Sequence, residues 1–366
     1  MSVSKALRYF VGAGAIPLLV AALAGNAPAQ QYVVTTLVTN STDPDLVNAW
    51  GLARSSTSPW WVADQVTGKS TLYNAAGTKQ GLVVTLPGGH PTGAIFYGGT
   101  GFIVPGTSKP AVFIFASTAG QIFGWNPSLT PITTAEVLTA TSGAAYTGAT
   151  ILTHIGQDFL YAADFHNARV DVFDSMLSPV DFGSDAFVLE GPEHSGFAPF
   201  NIQNIGNVLF VTYAKQDAQK IFDVPGPGNG YVAAFTYDGK LIKEFQHGIW
   251  LSSPWGLSMA PSDFGKFSHT ILVGMFGSGQ IAAYDFLTGN FRGLLNNANG
   301  DPISISGLWG ISFGSSVPPA LIGAGSGAFN TLYFAAGTTI GTARGAGGAF
   351  GTVTPVTTDL IEGNDQ

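Results

Sequence analysis

Three tryptophans recur in one tripeptide pattern, Trp50-Gly51-Leu52, Trp255-Gly256-Leu257 and Trp309-Gly310-Ile311. Indole faces gathered at one opening would stack on a sugar ring or another flat ligand; packed between strands, with glycine permitting close approach, they would serve the fold alone. Asn48, His90, Tyr146, His166 and Asn201 could supply polar groups at the same opening. Asp64 and Asp164 could act as acids or metal ligands, but their matching repeat positions predict bonds to the backbone N–H groups of turns. The six histidines show no metal-ligand spacing such as H-E-x-x-H, and no metal site is assigned. Gly310-Ile311-Ser312-Phe313-Gly314 satisfies G-x-S-x-G, yet a nucleophile elbow needs a strand-to-helix turn. Ser312 aligns with Ala53 and Ser258 of the other Trp-Gly copies, so it is read as a repeat position. The acid-rich Asp43-Pro44-Asp45 lacks an EF-hand pattern and is expected to be a solvated turn, with calcium the cation it could join.

The spacing of the tripeptides predicts what positions these groups. The last two copies lie 54 residues apart and the first two 205, about four periods of roughly 51. Each copy leads a run of short strand-like segments separated by Gly, Ser, Asn and Pro. Six such repeats can be laid under one another, which predicts an all-β, six-bladed β-propeller of four-stranded antiparallel blades. The sixth repeat is one strand short, and Tyr32 to Val38 belongs to no other blade. That segment is expected to supply the missing outer strand and close the ring. The loops entering each inner strand, and those joining the second and third strands, then share one mouth of the central channel. Asn48, Trp50, His90, Tyr146, His166, Asn201, Trp255 and Trp309 are the ligand-binding candidates there.

Composition narrows the function classes. Net charge is −8, and the 14 Lys and Arg are scattered, whereas nucleic acids and anionic membranes select concentrated basic surfaces. The chain has no cysteine, which excludes disulfides, thiolate metal sites and a cysteine nucleophile. Mean hydropathy is +0.27, and beyond the N-terminus no apolar run reaches the roughly 18–20 residues of a membrane span. Residues 1–29 read as a signal peptide, with Lys5 and Arg8, an apolar stretch from Phe10 to Leu23 and the cleavage pattern Ala27-Pro28-Ala29. The expected organisation is therefore a cleaved segment 1–29, one propeller domain 30–357 and an acidic tail 358–366. Export to the periplasm or beyond the cell, with no membrane anchor in the mature chain, is the expected destination.

Tyr161-Ala162-Ala163-Asp164-Phe165-His166-Asn167-Ala168-Arg169-Val170 resembles the NHL-type propeller repeat. Asp43 to Leu52 and Ser70 to Asn74 resemble an exported bacterial family of unknown function, some members of which carry a PEP-CTERM sorting tail. The resemblance implies a fold and an address rather than an activity. Two functional readings stay open. One is a secreted binding or scaffold module for a glycan, a cell-envelope component or a protein, with no cofactor. The other is a hydrolase similar to gluconolactonase-type lactonases, which hold an axial divalent cation with a Glu, two Asn and an Asp. Asn48 and Asn201 match in place, but no inner-strand acid joins them. A quinone-cofactor dehydrogenase is a third reading, and the sequence offers it no basic and aromatic cofactor pocket.

Overall fold

The computed structural model describes residues 31–315 and 325–356. The expected signal segment and the acidic tail lie outside the described residues. Six four-stranded antiparallel sheets follow one another along the chain. Their inner strands are Ala49–Ala53, Pro91–Phe96, Tyr146–His154, Phe197–Ile205, Pro254–Met259 and Leu308–Phe313. Among the described residues the only helical turns are two short 3-10 segments, Pro192–His194 and Gly265–Phe267.

The blades stack face to face, so their middle strands are covered on both sides. Trp60–Asp64, Phe113–Ser117, Thr270–Met275 and Leu332–Ala336 are buried at every position. This removes the polar/apolar alternation of a one-sided sheet and accounts for the high hydropathy. Separate apolar clusters fill the spaces between adjacent blades, for example Trp61 stacked on Phe113 at 4.1 Å.

Closure happens where the repeat count predicts it. Tyr32–Thr39 pairs antiparallel with Ala349–Pro355 as the outer strand of blade six, from Tyr32 opposite Pro355 to Thr39 opposite Ala349. Tyr32 also reaches blade five. Its hydroxyl donates to the Phe264 carbonyl at 2.9 Å, and its ring packs against Phe264 and Phe267.

Every inner strand carries a register irregularity near its start, at the Trp-Gly position or its equivalent. The glycines there answer a steric demand between blades. A Cβ on Gly310 would lie 2.7 Å from the Trp50 carbonyl oxygen, and one on Gly256 would lie 2.6 Å from that of Trp309. Blade four has Asn201 where the others have glycine, and its side-chain amide donates to the Trp255 carbonyl at 2.8 Å. The segment from Phe182 to Phe197 forms the long connection into blade four, and it is not merely a surface excursion. Phe187 is buried, and the Tyr213 hydroxyl donates to its carbonyl at 2.6 Å.

Candidate functional site

The three tryptophans meet on the propeller axis instead of packing between blades. Trp50 and Phe276 lie 3.8 and 3.6 Å from the Trp309 ring centroid, both nearly parallel to it. Two rings that close to one centroid must cover its opposite faces, so Trp309 is the middle of a three-ring stack. Trp255 meets Trp309 edge-on at 6.0 Å, and Phe200 lies 5.7 Å away. Propeller inner strands splay at the axis and leave a bore. Here six aromatic rings, including Phe165, fill it. Two of the three indole N–H groups fix the plug: Trp309 Nε1 donates to Asn48 Oδ1 at 3.0 Å, and Trp255 Nε1 donates to the Thr147 carbonyl at 2.8 Å.

The plug separates two vestibules. The upper one, about 770 Å³, is floored by Trp50, Trp309, Phe276 and Phe200. All six blades contribute a loop between their second and third strands: Gln65, Thr118, His166, Asp223, Phe276 and Arg344 mark these in turn. The expected shared mouth is therefore present. The lower vestibule, about 730 Å³, opens at the far ends of the inner strands and includes Arg54, Asp158, Gln203 and Ser312.

Four of the eight sequence candidates line the upper cavity: Asn48, Trp50, His166 and Trp309. Asn48 holds the left-handed conformation (φ 50°) and donates to Gln65 Oε1 at 3.1 Å while accepting from Trp309. His166 shares its Nδ1 with the Lys220 carbonyl at 3.0 Å. His90 is exposed nearby, with Nδ1 3.3 Å from the Gln65 carbonyl oxygen, and does not line the cavity. Trp255 and Asn201 sit lower, in the glycine ring beneath the stack. Tyr146 is displaced from the mouth altogether. Its side chain points into the core between blades, where the hydroxyl donates to Asp171 Oδ2 at 2.8 Å and accepts from the Thr141 hydroxyl at 2.8 Å. It begins its strand two residues before the bulge glycine, and that register turns it away from the axis.

Asp164 accepts from the Ala145 N–H at 3.0 Å, and Asp64 accepts from both the N–H and hydroxyl of Thr71, at 3.0 and 2.8 Å. Asp164 is bound into its turn as its repeat position predicts, accepting from the Asn167 N–H at 3.3 Å as well, whereas Asp64 is held by Thr71 within the strand Lys69–Tyr73 instead of by turn N–H groups. Burial pushes the Asp64 carboxyl well above the usual range, and its second oxygen has no partner. Ser312 lies mid-strand opposite Tyr333, so no nucleophile elbow exists. Asp43 and Asp45, in contrast, are not a solvated turn. Lys79 bridges them at 2.7 and 2.8 Å, Lys69 takes Asp45 at 2.6 Å, and the Tyr73 hydroxyl donates to Asp43 at 2.6 Å.

The lactonase-like cation site does not assemble from these residues. Asn48 faces the upper cavity while Asn201 lies in the ring below. Among the described residues no three His, Cys, Asp or Glu side chains group closely enough to hold a metal ion.

Sequence reasoning missed Asp223, Phe276 and Arg344. Asp223 is held by a bridge between Gln216 and itself, and its side chain is only 7% exposed. Burial raises its pKa, and Ser253 and the Arg344 charge offset part of that rise. Arg344 caps the aromatic stack, with Cζ 4.4 Å above Phe276 and a guanidinium nitrogen 3.7 Å from Asp223 Oδ2. A faint signal was available for Arg344 alone, a lone charge in its loop in a chain with only 10% charged residues.

Fold and site together define a six-bladed β-propeller with an aromatic-floored cavity on its axis. No family model matches the chain. It is 30% identical over 319 residues to "Uncharacterized protein R648" of Acanthamoeba polyphaga mimivirus, covering 83% of this chain and 79% of that one. It is also 30% identical over 288 residues to "Uncharacterized protein L690" of the same virus, covering 74% of each. The chain belongs to the family of these giant-virus proteins. Among solved structures, a Bacteroides thetaiotaomicron protein of unknown function aligns with a TM-score of 0.54 at 10% identity, over 89% of this chain and 76% of the other. The soluble aldose sugar dehydrogenase of Escherichia coli aligns with a TM-score of 0.52 at 10% identity, over 89% and 100%. These structural likenesses establish the propeller fold alone.

Proposed function

We propose that the protein is a secreted binding or scaffold module that holds its ligand in the upper axial cavity. The observation that carries this reading is the cavity itself, with an aromatic floor, polar walls and a loop from every blade. Ligand sites combine apolar lining with a few fixed polar groups in this way, at volumes of roughly 300–1,000 Å³. A glycan or a cell-envelope component would stack on the Trp50 side of the floor and take hydrogen bonds from the Gln65 and Asn48 amides. A protein ligand would seat on the surrounding loops. Export as in the exported bacterial family resembled by Asp43 to Leu52 is part of the proposal, with a mature chain beginning near Gln30.

The test is a glycan and cell-wall-fragment array probed with the mature protein, followed by titration of tryptophan fluorescence with each hit. Binding that quenches the emission and weakens at least tenfold in Trp50→Ala supports the reading. Hits that bind Trp50→Ala and the native chain equally, with no change in emission, refute it.

A further inference from the structure

We propose that the upper cavity receives an organic cation, an ammonium or guanidinium head on an apolar body, and that Arg344 occupies the head-group position as a displaceable internal competitor. This rests on the reading of that cavity as the binding site, and it names the chemistry recognised there.

The head-group position is already built. Trp309 covers one face of Phe276, and the other face carries the Arg344 guanidinium. An aromatic face within about 6 Å attracts a cation, most strongly where water is excluded. Beside it stands the Asp223 carboxylate, nine-tenths buried, whose Oδ2 has no hydrogen-bond partner. Burial of a carboxylate is costly and raises its proton affinity, and Ser253 and the Arg344 charge offset that only in part. Arg344 satisfies it poorly. The 3.7 Å separation exceeds the roughly 2.7–2.9 Å of a charge-assisted hydrogen bond, and the paired geometry that guanidinium and carboxylate favour is not made. A ligand cation reaching Oδ2 directly would do better.

Arg344 is also carried by an element suited to yield. Residues 337–348 contain five glycines, and Gly341 and Gly345 both have positive φ. The Arg344 side chain remains 46% exposed, so it can leave toward solvent without crossing the core. The apolar body of the ligand has its own surface. Val66, Ile221 and Phe222 line the same cavity and are 54%, 60% and 67% exposed. Lys220 and His166 also stand at this rim, where solvent screens them. The net charge of −8 favours the approach of a cation.

The experiment uses benzylammonium and its neutral counterpart benzyl alcohol, titrated calorimetrically into the mature native protein, Arg344→Ala, Arg344→Gln and Arg344→Ala/Asp223→Asn. Benzylammonium is expected to bind both single variants at least tenfold tighter than the native chain. The double variant should lose that gain, and benzyl alcohol should show none. Thermal melts confirm that each variant is folded, and Arg344→Gln serves should the alanine variant fail to fold. Equal benzylammonium affinity for native and Arg344 variants overturns the proposal, as does an equal gain for benzyl alcohol. If the cation gains nothing while an array ligand still quenches the floor tryptophans, the cation inference falls and the binding-module reading stands. If neither ligand binds, both fall.

Discussion

Replacing Gly310 by alanine probes the seam between the last blade and the first. The added Cβ would sit 2.7 Å from the Trp50 carbonyl oxygen, where ordinary van der Waals contact begins near 3.4 Å. Blades six and one must then part by about 0.7 Å, or the bulge must reform, because a backbone carbonyl cannot rotate away as a side chain can. Overpacking of this kind costs about 1–3 kcal/mol. With an unfolding entropy of about 2 cal/mol/K per residue over roughly 320 residues, that lowers the melting temperature by about 2–5 °C. Gly81→Ala is the control. Nothing lies within 4 Å of its added Cβ, and its φ is not positive, so alanine should be neutral or gain up to about 1 kcal/mol through the unfolded chain. Thermal and urea melts followed by tryptophan emission supply both numbers. If Gly310→Ala unfolds at the native midpoint, the close approach of blades at the axis is wrong and the steric account of the Trp-Gly repeat goes with it.

Three further outcomes are expected. Tyr32→Ala removes the ring that ties the closing strand to Phe264 and Phe267, and should cost about 3–5 kcal/mol, read as a lowered urea midpoint; a loss below 1 kcal/mol would show that the strand contributes little. Trp309→Phe keeps a ring in the stack but deletes the donor to Asn48, so roughly 1–3 kcal/mol should be lost; the penalty of Asn48→Ala should then be smaller in the Trp309→Phe background than in the native chain, reduced to its left-handed backbone and its Gln65 bond. Asp64→Asn tests pH dependence. The folded-state pKa of Asp64 is raised above its ordinary 3.8, so its contribution to stability is full below that value and falls as pH climbs through the folded pKa. The asparagine variant lacks this slope, so its melting temperature should rise relative to the native chain between pH 4 and pH 8; parallel curves would contradict the burial argument.

The recurring Trp-Gly pairs made the blades legible because a repeat forces one steric solution at each copy: a bulge, then a residue without a Cβ where the next blade comes close. The closing strand was legible by counting, since Tyr32 to Val38 had no blade of its own and blade six lacked an edge. Side-chain direction at the axis was not. Trp-Gly looks the same whether the indole enters the bore or the space between blades, because the bulge that turns it inward leaves no mark in the residue pattern. Tyr146 failed for the converse reason, lying on the outward side of that bulge. Asp223 and Arg344 meet across more than a hundred residues of chain, from loops whose composition signals only turns. The pairing of Lys79 with Asp43 and Asp45 was equally hidden, because it joins a strand of blade one to the turn that precedes the blade.

Ring closure underlies every assignment of a loop to the shared cavity, and the absence of cysteine makes it directly measurable. Thr35 and Thr352 face one another across the closing pair of strands, and facing residues of antiparallel strands lie about 4.5–5.5 Å apart, within disulfide reach. Thr35→Cys/Thr352→Cys should form an intramolecular disulfide on mild oxidation, seen as the loss of both titratable thiols from a monomer. Two thiols that stay free in the folded, oxidised monomer would mean the N-terminal strand does not close the propeller.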